Sequence, residues 1–229
     1  MAMTTPTPSF ILLTIEGNIG SGKSTTLEEL KNHYKGNKNV VFAPEPVSEW
    51  EKIKDKNDVT MLEKFYSNQL KYAFGFQMMA YISRLKILRA ILRENSRKDN
   101  EPIIIITERS LYTDKYIFAK MLYDQGKIED VDYQIYLNWF DEFAQDFPIH
   151  YCIYIKANPE ICHQRIQKRG RVGEDVIPLE YLTSCHEYHE EYIKQFSKLL
   201  TLNGNEDVYK DPLILEQWMN EIDCILTAF

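Results

Sequence analysis

The sequence predicts an α/β protein in which a parallel sheet of five strands is flanked by helices, in one domain over residues 10–229. Three observations carry this. Short, continuously apolar runs rich in Ile, Val and Tyr have the pattern of strands buried on both faces. Longer helical stretches separate them, as parallel crossovers require. The chain is 229 residues long, 44% hydrophobic and 13% aromatic, which suits one large core and excludes a disordered chain. No internal repeat or low-complexity linker divides it.

In chain order, "MAMTTPTPS" (1–9) has no Lys, no Arg and no apolar core. It reads as a flexible tail, not a signal or transit peptide. The strands are "FILLTI" (10–15), "NVVFAPE" (39–45), "PIIIITE" (102–108), "HYCIYIKA" (150–157) and, more weakly patterned, "KLLTLN" (198–203). The first helix is "KSTTLEELKNHY", and one long helix is expected from about Thr60 to Asn95.

Between the first strand and the first helix lies "IEGNIGSGKST", which holds G-x-x-x-x-G-K-S from Gly17 to Ser24. Gly17, Gly20 and Gly22 let the backbone turn its N–H groups inward, and the following helix N-terminus adds partial positive charge. Strand before and helix after are the context this polyphosphate-binding loop requires. Lys23 reaches the β- and γ-phosphates there, and Ser24 meets Mg²⁺.

In an open parallel sheet, ligands sit beyond the carboxyl ends of the strands. The second strand ends at Glu45, between Pro44 and Pro46, and the third ends in Glu108-Arg109-Ser110. A carboxylate there can take the proton of an acceptor hydroxyl. Glu45 suits that role, Arg109 steadies both the carboxylate and the transferring phosphoryl group, and Glu108 serves Mg²⁺. Farther on, "RIQKRGR" sets Arg165 and Arg169 on one helix face, with Gly170 ending the helix and Arg171 in the loop after it. Beside a phosphate loop this run is a candidate lid. In the long helix, Gln77, Ala80 and Arg84 fall at i, i+3 and i+7, near Tyr66 and among Phe65, Phe76 and Tyr81. Spacing alone fits either a solvent-facing stripe or the wall of a pocket for a flat, hydrogen-bonding ligand.

The remaining features exclude more than they assert. A net charge of −7 argues against a general nucleic-acid binder. The four cysteines form no C-x-x-C pair and read as free thiols. "HEYH" (186–189) lacks the i, i+4 spacing with Glu of a zinc helix. No apolar run approaches a membrane span of roughly 20 residues, and with no targeting segment visible the expected compartment is the cytoplasm.

As a set, "IEGNIGSGKST", "PEPVSEW", "FGFQMMAYISRL", "ERSLYTDKYIFA", "RIQKRGR" followed by "IPLEYL", and "NED" resemble the deoxyribonucleoside kinases of the deoxycytidine/deoxyguanosine kinase type. The resemblance runs from Phe10 to about Asp207. It implies a P-loop kinase fold with an arginine-rich lid, ATP with Mg²⁺ as phosphate donor, a deoxyribonucleoside as acceptor, and a homodimer. It implies ATP contacts from Gly17, Asn18, Ile19, Gly20, Ser21, Gly22, Lys23, Ser24 and Thr25, from the lid residues Arg165, Arg169 and Arg171, and from Glu206 and Asp207 in the loop facing the donor base. Glu45, assisted by Arg109, would act on the 5′-hydroxyl, with Glu108 and Ser24 on Mg²⁺. Tyr66 and Glu174 would hold the sugar 3′-hydroxyl, and Gln77 would pair with the base edge beside Ala80. Trp50, Phe76 and Phe118 would pack around the ring, with Leu62 and Phe65 closing the pocket. The segment from Trp50 to Leu62 is shorter than in the mammalian deoxycytidine enzyme.

Gln77 does not decide the base, because its amide suits every base in one orientation or the other. The resemblance sets Arg84 and Asp114 over the exocyclic edge. Asp114 favours the amino groups of adenine and cytosine, Arg84 can donate to guanine O6, and the bulk of the pair crowds a thymine methyl. The expected order is deoxyadenosine and deoxycytidine, then deoxyguanosine, then thymidine. The alternatives are a nucleoside monophosphate kinase, which needs further basic contacts for an acceptor phosphate, and a nucleotide-operated switch. A GTPase would be expected to show N-K-x-D, and none is present.

Overall fold

The computed structural model describes residues 10–95, 102–171, 173–174 and 176–227. The tail expected over residues 1–9 lies outside them. Five parallel strands form one sheet: β1 (Phe10–Glu16), β2 (Val40–Ala43), β3 (Ile103–Glu108), β4 (Tyr151–Lys156) and β5 (Leu199–Asn203). Their order is β2-β3-β1-β4-β5. The helices are α1 (Lys23–His33), α2 (Val47–Trp50), α3 (Met61–Ser67), α4 (Gln69–Glu94), α5 (Leu111–Thr113), α6 (Lys120–Asp124), α7 (Asp130–Phe143), α8 (Pro159–Arg169), α9 (Leu179–Tyr192) and α10 (Pro212–Leu226). A π-helical segment, Asp114–Ala119, joins α5 to α6.

Every residue of β1 is buried, because alternate side chains enter opposite cores. Ile11, Leu13 and Ile15 pack with Leu27 and Leu30 of α1 and with Trp218 and Ile222 of α10. Phe10 and Leu12 pack on the other face with Tyr81, Leu85 and Leu88 of α4 and Tyr136 and Phe140 of α7. The edge strand β5 is half-exposed, which explains its weak sequence pattern. No helix among the described residues is long and apolar enough to cross a membrane.

Two expected elements differ from those observed. Strand β2 stops at Ala43 rather than Glu45, since Pro44 and Pro46 have no N–H to donate to a ladder. The expected helix from Thr60 to Asn95 is two helices, broken at Asn68, whose φ of −154° and ψ of 84° leave helical space. Each half has its own cap. Asn68 accepts a hydrogen bond from the Lys71 N–H, and Thr60 forms a reciprocal capping box with Glu63.

That cap yields the first prediction. Thr60→Ala removes the acceptor for the Glu63 N–H and should lower stability by about 1 kcal/mol. Urea denaturation should show a lower midpoint with an unchanged m-value, and an unmoved midpoint would mean that α3 does not depend on its cap.

Candidate active site

The strands end together on one side of a cavity of about 880 Å³. Its floor is the turn between β1 and α1. Gly17 has φ 146°, and a Cβ there would meet Ser21 Oγ at 2.6 Å and the Ile155 carbonyl at 2.7 Å. Gly20 has φ 81°, and its Cβ would lie 2.6 Å from the Cys162 carbonyl. Both positions therefore require glycine. Helix α1 begins without a side-chain cap, at left-handed Gly22. Its first N–H groups are left for an anion.

Lys23 is buried, and its Nζ donates to the Asn18 carbonyl at 2.7 Å. Burial, with Arg109 nearby, pulls its ammonium down to about 8, against the opposing pull of Glu108 and Glu45. Ser24 Oγ donates to Glu108 Oε1 at 2.7 Å. Hydroxyl and carboxylate thus stand together at the helix start, a set of hard oxygens that suits Mg²⁺ shared with phosphates and water. Asn18 shapes the loop from behind: its side chain donates to the Leu182 carbonyl at 2.8 Å and accepts from the Ile19 N–H at 2.8 Å.

Glu45 and Arg109 face each other across the cavity mouth of β2 and β3. Arg109 donates to Glu45 Oε1 at 2.5 Å. Burial raises the Glu45 carboxyl, but Arg109, Arg84 and Lys23 outweigh it and hold it down at about 2. Arg109 has φ 61°, which a non-glycine residue rarely adopts. Its Nε and second terminal nitrogen are buried with no protein partner, so part of the guanidinium fork remains unused. Arg84 ties three elements together. It donates to Asp114 Oδ2 at 3.1 Å, to the Glu108 carbonyl at 2.6 Å and to Glu45 at 3.4 Å. Burial, only partly offset by Arg84, pushes the Asp114 carboxyl up to about 6.

The rest of the cavity is aromatic. Phe65 stacks on Phe76 with ring centroids 4.4 Å apart, and Trp50 meets Phe76 edge-on at 5.6 Å. The guanidinium of Arg109 lies 5.1 Å from the Phe118 ring. The stripe Gln77–Ala80–Arg84 is buried rather than solvent-facing. Gln77, Ala80 and Asp114 line the cavity, with Arg84 behind them, and the Gln77 side-chain oxygen has no partner. Tyr66 and Glu174 share the same wall. Burial, with Glu174 nearby, pushes the Tyr66 phenol well up, so it remains a donor.

A profile of the deoxynucleoside kinases matches residues 13–227. The chain belongs to the deoxynucleoside kinase family. It is an ATP-dependent deoxyribonucleoside kinase. Human deoxycytidine kinase is 35% identical, covering 87% of this chain and 85% of the relative. Chicken deoxycytidine kinase 2 is 32% identical over 94% of this chain and 90% of its own length. The mitochondrial deoxyguanosine kinase of Xenopus laevis is 32% identical, covering 89% and 79%.

The basic run of the kinase is engaged with its own chain. Arg165 donates to the carbonyls of Gly204 at 2.7 Å, Glu206 at 2.8 Å and Ser21 at 3.4 Å. It joins the phosphate loop to the loop after β5, where Glu206 and Asp207 line the cavity. Gly170 ends α8 in the left-handed region, with φ 61°. Arg169 and Arg171 both pair with Glu174. His189 Nδ1 donates to the Cys185 carbonyl at 2.6 Å, and burial drives its imidazole down to about 3. It is a neutral core residue, and no group of three or more His, Cys, Asp or Glu side chains placed to hold a metal occurs among the described residues.

Sequence reasoning missed several lining residues at the end of the cavity near the phosphate loop, among them Gln164, Lys168, Tyr209 and Trp218. Lys168 lies within the basic run. Tyr209 hydrogen-bonds Thr25 at 3.2 Å, and Trp218 sits on α10, with no local pattern to mark either as a pocket residue.

Lys23 supplies a pH prediction. Its ammonium is lowered to about 8 in the free kinase, and triphosphate oxygens beside it would raise that value again. ATP binding near pH 8 should therefore take up about half a proton through Lys23, and almost none through it at pH 6.5, where Lys23 is already charged. Calorimetry in two buffers of different ionisation enthalpy measures this uptake. Lys23→Met should abolish the difference, and equal uptake by parent and variant would refute the assignment.

Proposed function

We propose that this kinase transfers the γ-phosphoryl group of ATP to the 5′-hydroxyl of deoxyadenosine or deoxycytidine, in deoxyribonucleoside salvage. Deoxyguanosine ranks third and thymidine last. The observation that carries this order is the disposition of Arg84 and Asp114. Arg84 turns Nε and both terminal nitrogens toward Asp114, the Glu108 carbonyl and Glu45, and it lies behind the cavity wall, so it is poorly placed to serve guanine O6. Asp114, not Arg84, lines the cavity, and its carboxylate form accepts from an exocyclic amino group. The unpartnered oxygen of Gln77 supports a base edge docked against α4, with Phe76 and Phe118 around the ring.

The chemistry follows from charge. As the bond from the 5′-oxygen to phosphorus forms, the hydroxyl proton passes to Glu45, while the bond to the bridging oxygen breaks and ADP leaves. Glu45 is held at about 2, so it is charged at any working pH, and it is a weak base. A weak base suffices where the transition state is loose, because the hydroxyl becomes acidic only as it meets phosphorus. Arg109 gives one edge of its fork to Glu45 and has nitrogens free for a phosphoryl oxygen. Ser24 and Glu108 would hold Mg²⁺, which supplies neutralisation of the phosphate charge when bound with ATP.

We read residues 10–229 as one kinase domain that acts as a homodimer in the cytoplasm. The large apolar residues left exposed on neighbouring helices support the dimer: Ile82 on α4, and Val131, Ile135 and Trp139 at i, i+4 and i+8 on α7.

Two measurements test this function. Glu45→Gln keeps the shape and removes the proton acceptor, so kcat should fall about 10²–10⁴-fold with nucleoside affinity far less affected. Near-normal turnover would disprove the role of Glu45. The double change Arg84→Met with Asp114→Ala removes both charges and opens apolar space for a thymine methyl, worth roughly 10–200-fold in discrimination. It should raise kcat/KM for thymidine and lower it for deoxyadenosine and deoxycytidine. Either single change should damage activity toward every nucleoside, because each strands a buried charge at about 3–5 kcal/mol. An unchanged ranking of the four nucleosides in the double variant would show that the pair does not read the base.

A further inference from the structure

Behind Arg109 lies a polar network that the transfer chemistry does not use. Glu16, the last residue of β1, is fully buried, and no cation pairs with it among the described residues. Its partners are hydroxyls. Thr14 Oγ1 donates to Oε1 at 2.6 Å. Thr113 Oγ1 lies 2.6 Å from Oε1 and 2.7 Å from Oε2. Thr113 Oγ1 also accepts the Ser110 N–H at 3.0 Å. The Ser110 hydroxyl in turn accepts the Thr113 N–H at 3.1 Å and meets the Tyr192 hydroxyl at 3.3 Å.

The direction of these bonds is forced. Thr113 has one hydroxyl proton, and a carboxylate can only accept, so that proton goes to Glu16. The hydroxyl lone pairs are then free for the Ser110 N–H. Ser110 follows Arg109, whose left-handed backbone persists only where its surroundings over-determine it. On the other side, the Arg109 N–H donates to the Ile15 carbonyl at 3.0 Å, one residue before Glu16. The strained residue is thus gripped on both flanks by groups anchored on the end of β1. Apolar residues would fill this place at less cost than a buried carboxyl with hydroxyl donors alone.

We infer that Glu16 and Thr113 are positioning residues for phosphoryl transfer: they hold the Arg109 backbone so that its guanidinium faces both Glu45 and the transferring group. This rests on the role given to Arg109 under Proposed function. Glu16→Gln is a severe test despite its small size. Thr113 Oγ1 contacts both carboxyl oxygens, so either orientation of the amide sets an N–H donor against a hydroxyl whose two lone pairs already face the Ser110 N–H at 3.0 Å and the Ser110 hydroxyl at 2.9 Å.

The experiment is a double-mutant cycle. Glu16→Gln, Thr113→Val and Thr113→Ser are made in the parent and in Arg109→Lys, which keeps a charge but loses the fork. Kinetics with ATP and the best nucleoside are measured beside thermal unfolding. In the parent, Glu16→Gln and Thr113→Val should lower kcat about 10–100-fold, the scale of a small misplacement at the reacting centre, with both KM values within about threefold. Thr113→Ser should restore turnover. In Arg109→Lys, the same two changes should cost less than about threefold, because residues that act through one another are not additive. A purely structural network would lower the unfolding temperature equally in both backgrounds and cost kcat equally in both, and that result overturns the inference. So does parent-like kcat in Thr113→Val, which decides the matter even if Glu16→Gln fails to fold. Parent-like turnover by Arg109→Lys alone would instead remove the role of Arg109, and the inference with it.

Discussion

Glu45 is a carboxylate largely withdrawn from water, and keeping it charged organises everything around it. A buried anion is tolerable only with cations and hydrogen bonds close by. Arg109 must therefore arrive from the end of β3, Arg84 from α4 and Lys23 from the start of α1. Each of these cations is itself buried and needs anions, which Glu108 and Asp114 supply. The outcome is a set of ions in which no member can be removed alone without stranding another. Burial, with Arg109 nearby, lowers Lys23, and two nitrogens of Arg109 stay unpaired, so the cluster still has N–H donors to offer. A phosphate group is the anion such a cluster lacks.

The sheet makes this arrangement cheap to build. Parallel strands deliver their carboxyl ends to one side, and β1 is gripped by neighbours on both edges, with Ile15 in register with Glu108. The phosphate loop and the Glu-Arg pair are therefore fixed to the same rigid layer. The aromatic end of the cavity is borne by helices instead. Its walls are α3, α4 and the wide π turn at Asp114–Ala119, which carries both Asp114 and Phe118. Wide turns of this kind recur at functional sites. The Glu45–Arg109 pair is thus set by strand ends and the aromatic walls by helices, with Arg84 of α4 bonded to both Glu45 and Asp114.

The strands and the phosphate loop were legible because their physics is local. A continuous apolar run of five or six residues, or glycines at fixed spacing before Lys-Ser, means the same thing in almost any context. The pair Glu45–Arg109 was legible at one remove, through the rule that strand ends meet. Three features were not. Asn68 breaks the long helix while the apolar pattern runs on through it, and only the Asn cap and the Thr60-Glu63 box hint at two helices. Arg165 reads as one charge in a basic run, yet backbone carbonyls claim it, and carbonyls leave no trace in sequence. Glu16 reads as an ordinary acid after a strand. Its meaning comes from Thr113, 97 residues away.

Arg169 and Arg171 each close on Glu174, so this basic run carries two cations and its own counter-anion. For a triphosphate to draw on those guanidinium groups, it must exchange places with a carboxylate rather than fall onto bare charge. Such an exchange leaves little net change in the field seen from bulk solvent. The sensitivity of nucleotide capture to ionic strength should then be flatter than two free arginines at the rim would give, because mobile salt screens net attraction and does little to a swap between anions at close contact.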